Sequence, residues 1–74
     1  MLNEKDKKYL REFGENLKTI RTAKNLTQQN LADILEVEIS QVSRIERGKI
    51  NTSVINIKKI AVALEIDAGE LFKF

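Results

Sequence analysis

The chain has 74 residues, of which 42% are hydrophobic and 32% charged, a balance that fits one globular domain and excludes a disordered tail. Its formal net charge of +2 is too small to mark a nucleic-acid binder by charge alone. Cys and His are both absent, which removes disulfides, thiolate or imidazole metal sites and the usual nucleophile–base pairs, so no metal, cofactor or enzymatic activity is expected.

Packed helices, aided by self-association, must therefore supply the stability of so small a chain. No apolar run approaches the roughly 20 residues that span a bilayer. The segment from Met1 to Lys8 lacks the apolar stretch of a secretory signal, so a cytoplasmic, nucleoid-associated location without a membrane partner is expected. Charge is unevenly spread: residues 1–26 hold seven Lys/Arg against four Asp/Glu, residues 27–51 three against four, and residues 52–74 three against three. The N-terminal excess fits either a basic contact surface or an ordinary solvated helix face.

With no proline, the chain reads as five helices separated by caps, an all-α single domain over 1–74 with an N-terminal extension of about 1–9. The first helix is expected from about Asp6 to Lys24, where Leu10, Phe13, Leu17, Ile20 and Arg21 recur at helical spacing. Gly14 weakens its middle by about 1 kcal/mol. Asn25 suits the left-handed residue that follows a helix.

A second helix starts at Thr27, whose hydroxyl can cap it while Leu26 and Leu31 form a hydrophobic staple, and ends near Leu35. Asn30 stands where Glu or Gln would complete a capping box. A third helix runs from about Ile39 to Arg47 and stops at Gly48. A fourth, about Ser53 to Leu64 with Ser53 or Thr52 as cap, is expected to bury Val54, Ile57, Ile60, Ala61 and Leu64. Asp67 to Glu70 has the form of a capping box for a short last helix carrying Leu71, Phe72 and Phe74.

Two short helices joined by a brief turn, over about 27–47, form a helix-turn-helix candidate. At 100° per residue, Val42, Ile45 and Glu46 fall on one side of the third helix, and Ser40, Ser43, Arg44 and Arg47 on the other. Small side chains admit a helix into the major groove, serine hydroxyls bond base edges or phosphates, and arginine pairs bidentately with guanine. The same face taken alone also reads as a solvated surface.

Three blocks in order, Leu26-Thr-Gln-Gln-Asn-Leu-Ala-Asp-Ile-Leu35, Val42-Ser-Arg-Ile-Glu-Arg-Gly-Lys49, and Ile60-Ala-Val-Ala-Leu64 with Asp67 to Phe72, resemble the Cro/repressor-type (XRE) helix-turn-helix family. The resemblance covers about Phe13 to Phe72. It implies a five-helix, lambda-repressor-like domain that binds double-stranded operator DNA as a two-fold dimer, with the helix from Ile39 as recognition helix. Matched position by position, Ile39, Ser40 and Arg44 are implied base contacts, with Ser43 beside them. Gln28, Arg47 and Lys49 are implied phosphate contacts, and Asn51 and Thr52 further ones. Arg21 and Glu46 match a structural ion pair, and Ala32 the small residue that lets the motif helices approach.

Two positions depart from the family pattern. Glu36 replaces the usual turn glycine, at a cost of order 1 kcal/mol if left-handed, so a differently shaped turn is expected. Glu38 replaces the usual Ser or Thr cap, its charge suiting a helix N-terminus but not a nearby phosphate. Ile39 also lies toward the edge of the buried side.

Ile55 and Val62 form a second apolar stripe on the fourth helix, displaced by about 100° from its core stripe. Together with Phe72 and Phe74 they are expected to make a homodimer interface, one of the two phenylalanines closing the domain's own core. Such a dimer would read an inverted repeat with half-sites about 10 base pairs apart. The competing function is protein interaction: an antitoxin that also binds a partner toxin, or a helix-turn-helix module without DNA contact. Acidic groove-facing residues would favour the latter, and Ser40, Ser43 and Arg44 are not acidic.

Overall fold

A computed structural model describes residues 1–74 as four α-helices and a 3-10 helix, without strands. The helices are α1 (Glu4–Ala23), α2 (Gln28–Leu35), α3 (Ile39–Glu46) and α4 (Val54–Leu64), followed by the 3-10 helix Ala68–Phe72. The last element differs from the α-helix expected there. Asp67 makes no side-chain cap bond, and the five residues close with i to i+3 bonds such as Glu70 N–H to the Asp67 carbonyl.

Side-chain caps fix the helix starts. Asn3 Oδ1 accepts from the Asp6 N–H at 2.9 Å while Asp6 Oδ2 accepts from the Asn3 N–H at 3.2 Å, so α1 begins at Glu4, ahead of the expected Asp6. Residues read as an extension, 4–9, thus form its first turns. At α2, Thr27 Oγ1 accepts from the Asn30 N–H and Asn30 Oδ1 from the Thr27 N–H, both at 3.0 Å. Asparagine therefore completes the box that appeared open in the sequence. Ser53 Oγ caps α4 through the Asn56 N–H.

All four α-helices end the same way. A left-handed residue (Asn25, Glu36, Gly48 or Glu65, with φ between 57° and 71°) is followed by a residue whose N–H returns five positions, as from Val37 to the Ala32 carbonyl. The residue after the turn is Leu26, Val37 or Ile66 at three of the four ends, each packed on the core. That apolar anchor holds Glu36 at φ 57°, so the turn is left-handed despite lacking glycine.

The core joins Phe13 and Leu17 of α1, Leu31, Ala32 and Leu35 of α2, Val42 and Ile45 of α3, Ile60, Ala61 and Leu64 of α4, and Leu71. Val54, expected inside, is 81% exposed: it stands on the first turn of α4, before Ile57 and Ile60 reach the core. Asn16 Nδ2 donates to the Glu70 and Leu71 carbonyls at 3.0 and 2.9 Å, fastening the 3-10 helix to α1. Gly14 has a definite role. A methyl group there would collide with the Ile45 and Glu46 carbonyls, so its missing Cβ is what lets α1 lie against the end of α3. No helix is long and apolar enough to cross a membrane.

Candidate nucleic-acid interface

α3 owes its position to its inner face. Val42 and Ile45 are buried in the core, and Glu46, although charged, is only 5% exposed. An isolated carboxylate could not remain there ionised. Arg21 of α1 meets it with two bonds, Nε to Oε2 at 2.6 Å and Nη2 to Oε1 at 3.1 Å, and its Nη1 donates to the Leu26 carbonyl at 2.7 Å. Gln28 Nε2 adds a further bond to Glu46 Oε1 at 2.9 Å. The network links α1, the α1–α2 turn, the first residue of α2 and the last of α3, and no buried side-chain N or O lacks a partner. Two helices of the motif are thereby set at one relative orientation.

The outer face is free. Ser40, Arg44, Arg47 and Lys49 are exposed, Ser43 is half-buried, and Ile39 is 42% exposed at the leading end of the helix. Glu38 is extended and makes no cap bond. At the start of α2 the backbone N–H groups of Gln28 and Gln29 find no acceptor in the chain, leaving two donors for an anion at the positive end of the helix dipole. The side-chain amide nitrogen of Gln28 is engaged by Glu46, whereas its backbone N–H is free.

Lys49 is exposed in the turn after α3, and the other expected contact residues fall into three sets. Ile39, Ser40 and Arg44 lie along α3, while Gln28, Ser43 and Arg47 meet at a polar recess that also includes Arg11 and Lys18 of α1. Asn51 and Thr52 sit apart: Asn51 borders clefts with Tyr9 and Leu10, and Thr52 Oγ1 accepts from Asn56 Nδ2 at 3.1 Å. Arg11 and Lys18 were not among the residues singled out from the sequence. Their one local sign is position, three before and four after Gly14, which puts all three on one face of α1.

The four residues expected at a self-association face do not share one surface. Ile55 and Val62 border a groove between α2 and α4 together with Ile34, with a volume of about 340 Å³. Phe72 instead packs on Phe13 with ring centroids 5.1 Å apart, and Phe74 on Tyr9 at 5.0 Å. Both phenylalanines are thus engaged within the chain, on the side to which α4 turns Ile57.

Two short packed helices joined by a brief turn, the second with a buried inner face and a donor-rich outer one, define a helix-turn-helix protein, and comparison with known proteins agrees. The helix-turn-helix family model HTH_3 matches residues 17–71. Control protein C.MunI of Mycoplasma sp is 39% identical over 61 residues, covering 81% of this chain and 82% of the relative. Control protein C.BamHI of Bacillus amyloliquefaciens is 38% identical over 63 residues, covering 84% and 78%. The crystal structure of the restriction-modification controller protein C.AhdI from Aeromonas hydrophila superposes with a TM-score of 0.83 at 46% identity, over 85% of this chain and 96% of that one. The chain belongs to the Cro/repressor-type helix-turn-helix family.

Proposed function

We propose that the protein is a sequence-specific DNA-binding regulator of transcription, of the controller kind for which C.MunI, C.BamHI and C.AhdI are named. α3 enters the major groove, where Ser40, Ser43 and Arg44 read base edges and Ile39 lies at the entrance. Gln28, Arg47 and Lys49 grip phosphates and fix the register. The observation that carries this reading is the division of α3: Val42, Ile45 and Glu46 are locked inward, while Ser40, Arg44 and Arg47 have no core role and stand exposed.

In this reading the protein is a lambda-repressor-like domain that acts as a homodimer without cofactor. Ile34, Ile55 and Val62 are 54%, 60% and 67% exposed around one groove, and pairing two copies across a two-fold axis would cover them. Phe72 and Phe74, already stacked on α1, contribute less to that contact than their sequence positions imply. Selection from a pool of random duplexes tests the whole reading. It should enrich an inverted repeat with half-site centres about 10 base pairs apart. Failure to enrich any sequence would refute sequence-specific binding, and enrichment of a single asymmetric half-site would refute the dimer.

A further inference from the structure

Between α1 and α3 lies a recess of about 400 Å³ with no hydrophobic residue in its lining. Arg11 and Lys18 of α1 approach it from one side, Ser43 of α3 and Arg47 just after it from the other, and Gln28 closes the end beside the free N–H groups of α2. Arg11 is held there by close packing. A Cβ on Gly48 would fall 2.6 Å from the Arg11 backbone nitrogen, so α1 passes directly over the turn that carries Arg47 and Lys49.

The charges in this recess are not balanced from within. The ion pairs of the molecule are Arg21–Glu46, Lys7–Glu4 and Lys73–Glu70, so Arg11, Lys18 and Arg47 have no carboxylate within bridging distance. Of the two acidic residues on the lining, Glu46 is already neutralised by Arg21, and exposed Glu15 alone faces three cations. Three unpaired cations converging with serine and amide donors on an open notch beside the recognition helix are arranged for an anion.

We propose that this recess holds the DNA backbone flanking the half-site, so that Arg11 and Lys18 extend the phosphate grip from the helix-turn-helix onto α1. The proposal rests on the DNA-binding reading. It assigns α1 a role in affinity and docking but none in base reading, since its cations stand across the recess from α3 and not on the helix that enters the groove. It also gives Glu15 a negative role, as a charge that weakens binding.

The test uses the full chain and the selected operator. Arg11→Gln with Lys18→Gln should make log affinity fall less steeply with log salt, by about 1 to 2 in slope for each bound subunit, and weaken binding at least tenfold, with sequence preference unchanged. Lys5→Gln with Lys73→Gln, an equal charge change away from the recess, should leave the slope near that of the wild type, and Glu15→Gln should tighten binding. Replacing single operator phosphates by uncharged methylphosphonates should reveal a flanking position that matters to the wild type and not to the Arg11, Lys18 double variant.

An unchanged slope in that variant, or an equal loss in the Lys5, Lys73 control, would overturn the assignment while leaving the DNA-binding reading intact. A wild type that bound no duplex selectively would overturn that reading instead. Because Arg11 and Lys18 are both exposed, unchanged melting curves separate lost contacts from lost folding.

Discussion

The α1–α3 junction and the α2–α4 junction of this small domain are built on opposite chemistry. The first is closed at its base by polar contacts, beneath the open recess: Gly14 admits the carbonyls at the end of α3, Arg21 and Glu46 pair out of water, and half-buried Gln28 bonds Glu46 at the edge. The second is apolar and open, with Ile34, Ile55 and Val62 left around a groove. Apolar packing is tolerant of small slips, whereas a two-point guanidinium–carboxylate contact has one good geometry. The closed junction is therefore suited to orienting a helix that must meet base edges, and the open one to receiving a second surface.

Breaking the closed junction should have the largest effect. Arg21→Ala leaves Glu46 buried and unpaired and should destabilise by about 3–5 kcal/mol. Arg21→Met together with Glu46→Leu should be milder than the sum of the single changes, and chemical denaturation of the four proteins would measure the coupling. Additive losses would show that the pair is not a unit.

Smaller effects should follow at the helix ends. Glu36→Gly and Glu65→Gly each relieve a left-handed side chain and should stabilise by about 0.5–1 kcal/mol, read as a rise in melting temperature. On the open junction, Val62→Glu should change the stability of the single chain by no more than about 0.5 kcal/mol. It should nevertheless abolish self-association, which sedimentation over a range of concentration would detect. A wild type that stays monomeric free and on DNA would remove the functional meaning given to the open junction.

The two junctions also differ in how far they can be read from sequence. Caps and apolar spacing locate the α-helices because those signals are local: Thr27, Ser53 and Gly48 act within a few residues of themselves. The shorter carboxamide of Asn30 also closes a capping box, which a rule framed for Glu or Gln does not anticipate. The left-handed Glu36 is a local expense met by a tertiary contact, Val37 on the core. Val54 follows the apolar period of α4 yet lies outside, because period gives direction but not how far along a helix the core extends.

At the interface, the α3 face is legible from its own period. The side-chain bond of Gln28 to Glu46 and the convergence of Arg11 and Lys18 with Arg47 are not, since they join residues 18 to 36 positions apart. The stacking of Phe72 and Phe74 on α1 is equally non-local.

The central claim is that α3 reads bases from the face opposite its buried ion pair, and Arg44→Ala tests it most directly. Binding-site selection with wild type and variant should show relaxed preference at one base pair in each half-site, worth about 1–3 kcal/mol, with the rest of the preferred sequence retained. Lys49→Ala, in parallel, should weaken all sequences alike and flatten the salt dependence. The same preferred sequence and the same discrimination from Arg44→Ala as from wild type would contradict the account.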